Sequence, residues 1–161
     1  MDKKIVLLRI LYVTLAISMI LVWGQSCINK TESRESSDAI VEMIKPIDQL
    51  EEGYRSPNGM TYVELSTYVR KAAHVIEYAA VGFQIMAILL LKKKKELKVA
   101  INVLFLGGLI GLVDETIQIF SERGSEVGDI WIDMAGILVG ILGARFIGWI
   151  VEKRLKKKIK A

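Results

Sequence analysis

The sequence has little of what soluble or disulfide-stabilised domains need. It contains one cysteine, Cys27, in 161 residues, so an internal disulfide is excluded and the thiol is free by default. Two prolines, 7% aromatic residues and 13 glycines fit closely packed membrane helices better than a β-barrel. The low polarity, with 52% hydrophobic residues and a mean hydropathy of +0.39, argues against an ordinary soluble domain.

Four apolar runs are each long enough to cross the hydrocarbon core at about 1.5 Å of rise per residue. They cover residues 5–24, 72–91, 99–120 and 130–151. The sequence therefore predicts an all-α, integral membrane four-helix bundle that forms a single domain over residues 1–161. Cleavage of the first run as a signal peptide is the alternative, but no small-residue cleavage site follows it.

Basic residues are concentrated beside the apolar runs. They lie at Lys3 and Lys4, between Lys92 and Lys98, and between Lys153 and Lys160. Cytoplasmic loops of membrane proteins carry such charge, and four spans put all three groups on one side, so we expect both termini to be cytoplasmic. The loop of residues 25–69 then lies outside, with eight acidic and four basic residues up to Glu64. Because the basic runs adjoin hydrophobic spans, no nucleic-acid partner is expected.

The outer loop contains two further helix signals. Apolar residues recur at helical spacing after Ser37, at Ile40, Met43, Ile44, Ile47 and Leu50. They predict an amphipathic helix on the membrane face or over the ends of the spans. Thr61 and Glu64 form a capping-box pattern, so the second long helix is expected to begin near Tyr62, well before its span.

Polar side chains within the last three spans fall on single helix faces when each residue advances by 100°. The faces carry Arg70, His74, Glu77 and Gln84 in the second span, Asp114 and Gln118 in the third with Glu115 at the margin, and Asp129 and Asp133 in the fourth. A charged group in a span costs at least about 2.5 kcal/mol and usually faces the bundle interior. The faces should therefore meet, and with Arg123 from the short outer loop they predict an outward-facing polar pocket.

Glycines at G-x-x-x-G spacing continue two of these faces. They are Gly107 and Gly111 in the third span and Gly136, Gly140 and Gly143 in the fourth. This spacing lets helix backbones approach closely, so we predict that the last three helices pack through these glycines.

The chemistry of the pocket has several interpretations. His74 and Glu77, at positions i and i+3, are either a proton-handling pair or an intrahelical hydrogen bond. Asp114, Glu115 and Asp133 suit acid/base chemistry or a divalent cation; with one histidine no closed zinc site is expected, and magnesium or calcium is the cation such a site would take. Arg70 and Arg123 either bind a phosphate or carboxylate or neutralise the neighbouring acids. Our leading prediction includes no cofactor.

The ordered combination of these residues resembles the VanZ-like family, small bacterial membrane proteins named for a teicoplanin-resistance protein. The resemblance runs from Arg70 to about Ala144. It is carried by Arg70-Lys71, His74, Glu77-Tyr78, Asp114-Glu115, Gln118, Arg123, Asp129, Asp133, Gly136 and Gly140. The resemblance implies a place in the bacterial cytoplasmic membrane, a role in the cell envelope and, for some members, resistance to glycopeptide antibiotics.

We therefore expect a protein that binds or modifies an anionic envelope component, such as a lipid-linked cell-wall intermediate, or that meets the glycopeptide itself. In this interpretation Arg70, Arg123, Gln118 and Asp129 contact the ligand. The alternatives are an enzyme of the outer leaflet, a hydrolase or transferase that uses His74 or Glu77 as base, an oligomeric transporter or flippase, and a structural partner. Membrane lipids are expected partners in every case, and the oligomeric state stays open.

Overall fold

The computed structural model describes residues 2–27, 35, 37–41, 43, 62–94, 96–120 and 127–160. These ranges are helical apart from short connections, and they contain no strand. Four long helices follow one another: α1 (Lys3–Ser26), α2 (Tyr62–Leu91), α3 (Leu97–Phe120) and α4 (Val127–Lys160). The predicted all-α fold is confirmed, and so is the early start of α2 at Tyr62.

All four helices are long and apolar enough to cross a membrane. Large hydrophobic side chains cover their outer faces. Examples that are more than half exposed are Ile20, Phe105, Ile119, Trp131 and Leu142. A soluble protein does not present such a continuous apolar surface to water, whereas lipid tails are its natural solvent. The chain is a multi-pass membrane protein; the cytoplasmic position of the termini stays a prediction.

Helices α2 and α4 form the most extensive contact in the bundle, and glycines make it possible. A Cβ atom on Gly136 would lie 2.7 Å from the Val75 carbonyl oxygen of α2, and one on Gly82 would lie 2.6 Å from the Ile137 carbonyl oxygen of α4. Such distances are too short for any real side chain, so backbones touch here. The close contact joins the middle of α2 to the segment of α4 around Gly136 and Ile137.

The apolar core lies along this contact and extends to the other two helices. Its buried members are Val22, Tyr78, Val81, Met86, Ala100, Val103, Ile137, Ile141 and Ala144. Val22 is the contribution of α1, which packs on α2 and α3 and is the most exposed of the four. Directly after the end of α2, the Lys92 ammonium donates a hydrogen bond of 2.6 Å to the Tyr12 hydroxyl of α1.

A short helical segment lies in the predicted outer loop. Residues 37–41 are helical, as the spacing predicts, but the side chains that point inward are Ser37 and Val41, which are 7% and 0% exposed. Ile40 and Met43 are 44% and 88% exposed, so they are available to the membrane surface. The rest of the predicted apolar face, at Ile44, Ile47 and Leu50, lies outside the described residues.

Candidate functional site

The site is built around a contact between α2 and α4. Nδ1 of His74 lies 3.4 Å from Oδ1 of Asp133, and the two residues are 8% and 0% exposed. Asp133 fits into the bundle because α3 has a glycine opposite: a Cβ atom on Gly111 would lie 3.0 Å from Oδ2 of Asp133. One turn further along α2, the ring of Tyr78 stacks with that of His74 at 6.4 Å between centroids.

Helix α3 contributes a second buried carboxylate, that of Asp114, and α1 contributes a hydrogen-bond donor to it. The hydroxyl of Ser26, in the last turn of α1, donates to Oδ1 of Asp114, and Nε2 of Gln118 donates to Oδ2 of Asp114 at 3.0 Å. Gln118 also donates from Nε2 to Oε1 of Glu115 at 3.0 Å. Asp114 is 0% exposed and Gln118 1% exposed. The side chain of Asp114 is therefore fixed by hydrogen bonds from two helices.

Three side chains come together at the centre: His74, Asp114 and Asp133, which we call the His-Asp-Asp cluster. One possible ligand atom from each lies within 4.8 Å of the other two. Such a group can transfer a proton between the imidazole and a carboxylate, or it can hold a cation. The wider polar set around it includes Glu115 at 4% exposure, so the predicted pocket has a buried acidic centre.

Two basic side chains and one acidic side chain lie at the periphery of this centre. Nη2 of Arg70 is 4.0 Å from Oδ2 of Asp129, and Nζ of Lys71 is 3.5 Å from Oδ1 of the same carboxylate. The side chains of Arg70 and Lys71 are 23% and 33% exposed, whereas that of Asp129 is 7% exposed. We call Arg70, Lys71 and Asp129 the rim. Asp129 lies in the first turn of α4 and pairs with both cations.

Most of the residues predicted for the site do meet at one end of the bundle. His74, Asp114, Glu115, Gln118 and Asp133 are central, and Arg70 and Asp129 are peripheral. Glu77 is half-buried one turn from His74, and Arg123 lies outside the described residues. The contact found for His74 crosses to Asp133 on α4.

The structure also places the predicted packing glycines. Gly107 faces the side chain of Ile137 at 2.5 Å from a built Cβ, and Gly143 faces the ring of Phe83 at 3.7 Å. A built Cβ on Gly140 would overlap the Ala79 carbonyl oxygen. Gly136 and Gly140 therefore lie in the tightest part of the α2–α4 contact, with Gly143 in ordinary van der Waals contact.

Sequence reasoning missed three members of the site. Lys71 lies off the polar stripe of α2 on a helical wheel, but its long side chain reaches Asp129. Ser26 ends an otherwise apolar helix, and a single hydroxyl there gives no recognisable signal. Tyr78 is fully buried beside His74, and the sequence pointed to it only as one of the residues that carry the family resemblance.

A sequence comparison identifies the family. The VanZ/LLP1 family matches residues 5–148, which is most of the chain and includes α1 as well as the polar residues of α2, α3 and α4. No curated protein and no solved structure matches the chain. This match confirms the resemblance seen in the polar residues and extends it to α1. The chain belongs to the VanZ/LLP1 family.

Proposed function

We propose that this protein binds the anionic headgroup of an envelope lipid, such as a lipid-linked cell-wall intermediate, at the rim. The observation that carries the proposal is the sharing of one carboxylate, Asp129, by two cations, Arg70 and Lys71. Arg70 and Lys71 thus place two positive charges side by side at one edge of the bundle. Both cationic side chains are partly exposed, so a ligand in the membrane surface can reach them.

The geometry of the rim suits a phosphate or carboxylate ligand. Arg70 presents a planar fork of donors, which pairs with such groups through two parallel hydrogen bonds, and Lys71 adds a point charge. Nη2 of Arg70 lies 4.0 Å from Oδ2 of Asp129, which is longer than a charge-assisted hydrogen bond. The Arg70 guanidinium can therefore donate hydrogen bonds to a ligand. Lipid headgroups lie at the membrane surface, at the same level as the ends of spanning helices.

A modifying activity is the second candidate, and the His74–Asp133 contact favours it. An imidazole beside a carboxylate is the arrangement that orients a general base. It lies beneath the rim, where the headgroup of a bound lipid would be presented. Family membership supports an envelope role, and a change in an envelope lipid is a route by which a member alters susceptibility to glycopeptides such as teicoplanin.

Lipid binding can be tested on the full chain in neutral-lipid nanodiscs. The probe is a short polyprenyl monophosphate, with the matching polyprenol as the uncharged reference. We expect saturable binding of the phosphate alone, weakened about tenfold or more by Arg70→Gln or Lys71→Gln, because each loses a charge-assisted hydrogen bond of about 1.5 kcal/mol or more. Arg9→Gln is the matched control, since Arg9 is exposed near the start of α1. Equal binding of phosphate and alcohol, or equal loss in the control, would refute the proposal.

A further inference from the structure

We infer that the His-Asp-Asp cluster binds one divalent first-row transition-metal ion, of the class of manganese, cobalt or zinc. The inference goes beyond the proposed lipid binding, because it concerns the buried centre and not the rim. It rests on the convergence of three ligands, on the polar atoms of the cluster that lack a well-formed hydrogen bond among the described residues, and on the two buried carboxylates of the cluster.

The three side chains lie close enough together to hold one ion. An imidazole nitrogen of His74 and carboxylate oxygens of Asp114 and Asp133 lie within 4.8 Å of one another. A metal ion with ligands at its usual distance of about 2.1 Å holds them about 3.4 Å apart in a tetrahedral site. A shift of up to about 0.8 Å by each ligand atom towards the common centre closes that difference. The residues come from three helices, α2, α3 and α4, so an ion would join the helices of the bundle.

Several buried polar atoms of the cluster lack a hydrogen bond of good geometry. Asp133 is 0% exposed, and neither of its carboxylate oxygens makes such a bond with the residues that the structure describes, although the Tyr78 hydroxyl and the His74 ring lie close enough to interact with it. Nδ1 of His74 is likewise buried without a hydrogen bond there, although Oδ1 of Asp133 is 3.4 Å away. Buried polar groups in folded proteins are almost always satisfied. Lone pairs that converge on one point are satisfied by a cation at that point.

The cluster holds more acidic than basic groups. Asp114 and Asp133 are both 0% exposed, and the imidazole of His74 is the only basic group in the cluster. Two carboxylates so deep in an apolar bundle repel one another and are strongly desolvated. An ion of charge +2 neutralises both. It also removes a negative charge that would otherwise repel an anionic ligand at the rim.

The surroundings of Asp114 resemble the outer shell of a metal site. Ser26 donates to one oxygen of Asp114 and Gln118 to the other, so the carboxylate is held in one orientation. Metal ligands are commonly fixed in this way by a second layer of hydrogen bonds. Each carboxylate oxygen still has a lone pair for an ion.

The ligand set decides the class of ion. Magnesium and calcium favour sites made of oxygen ligands, whereas imidazole suits first-row transition metals. One nitrogen and two carboxylates leave positions open for water or substrate, as catalytic sites do. The leading prediction from sequence was no cofactor, with magnesium or calcium as the cation that an acidic site would take; the proposed ligand set favours a transition metal over these two.

Cobalt(II) is the most informative probe, since its visible d–d bands report its ligands. The full chain, purified with a tag that lacks histidine and treated with chelator, is titrated with cobalt and then with zinc. We expect one cobalt per chain with the bands of a low-symmetry nitrogen and oxygen site, displaced by one zinc and not by equal magnesium or calcium. No saturable cobalt binding by the wild type, or displacement by magnesium, would overturn the inference.

Variants assign the ligands. Asp133→Asn and His74→Gln should each abolish the bands, and Ser26→Ala should weaken binding about 10- to 100-fold without changing the stoichiometry. Asp38→Asn, in the half-buried outer segment, is the control and should bind as the wild type does. Unchanged bands in both ligand variants would refute the assignment even if one of them folded poorly. Because the lipid probe reports on Arg70, failure of one proposal is distinguishable from failure of the other.

Discussion

The hydroxyl of Ser26 in the last turn of α1 donates a hydrogen bond to the carboxylate of Asp114, 88 residues away on α3. Both residues are buried, at 1% and 0% exposure. Helix α1 also packs on the bundle through apolar side chains such as Val22, and its Tyr12 accepts a hydrogen bond from Lys92. A first helix that shares a polar contact with the site is part of the site's architecture.

Removal of this hydroxyl should destabilise the bundle. Ser26→Ala leaves Oδ1 of Asp114 with one donor fewer in a buried position, and a lost partner of that kind costs about 1–3 kcal/mol. We expect thermal unfolding in detergent to occur at a correspondingly lower temperature. Ser18→Ala is the matched control, because Ser18 lies two turns earlier in α1 and is only half-buried. If both variants unfold alike, the Ser26–Asp114 bond does not stabilise the protein.

The α2–α4 contact offers a sharp comparison between two glycines of one helix. A built Cβ on Gly140 lies 2.5 Å from the Phe83 nitrogen and overlaps the Ala79 carbonyl, both backbone atoms that cannot rotate away. Gly140→Ala should therefore lower the free energy of unfolding by about 1–3 kcal/mol through overpacking.

Gly143→Ala is the matched control for Gly140→Ala. Its Cβ meets only the ring of Phe83, at 3.7 Å. Alanine is favoured over glycine within a helix by about 1 kcal/mol, so this variant should be neutral or slightly stabilising. The difference between the two variants is measured by unfolding in the same detergent. Equal stability would mean that α2 and α4 are farther apart than the structure places them.

One substitution in the rim, at Asp129, should increase the affinity for the lipid phosphate instead of lowering it. Asp129 competes with an anionic ligand for Arg70 and Lys71. Asp129→Asn removes that competitor while keeping the shape of the side chain. We expect polyprenyl monophosphate to bind more tightly to this variant, with an enhancement that diminishes as salt screens the charges. Weaker binding would show that Asp129 positions the cations rather than competing for them.

The antibiotic phenotype tests the site in a cell. If the protein raises resistance to teicoplanin in a bacterial host, His74→Ala and Glu77→Ala should abolish that increase, since the proton-handling group or ion ligand is lost. The measurement is the inhibitory concentration, with membrane levels checked by immunoblot. Arg9→Gln should keep the phenotype. Unchanged resistance in both alanine variants at equal membrane levels would exclude His74 and Glu77 from the activity.

Helical periodicity explains why so much of the site could be predicted. His74, Asp114 and Asp133 are ionisable groups in apolar runs, and the cost of exposing them to lipid forces them to face one another. Which partner each residue meets depends on the axial register of neighbouring helices, and no local pattern encodes that register. The sequence therefore suggested Glu77, on the same helix, as a partner of His74, but gave no sign of the contact that His74 makes across to Asp133 on α4.

The end of α2 supplies a last prediction, far from the site. Lys93 follows the helix with φ of 61°, the left-handed conformation that side chains disfavour. Its amide donates to the Leu90 carbonyl and the Lys94 amide to the Leu89 carbonyl, each at 2.9 Å, which is the Schellman pattern that ends many helices.

Glycine adopts this conformation without penalty, so Lys93→Gly should raise the free energy of unfolding by about 1 kcal/mol. The gain should appear as a higher unfolding temperature in detergent. Lys94→Gly is the matched control: it also removes one charge from the same lysine run, but φ at Lys94 is not positive, so glycine brings no such gain there. An equal gain in both variants would assign the effect to lower charge repulsion among the lysines, and a loss in Lys93→Gly would exclude a left-handed residue at this position.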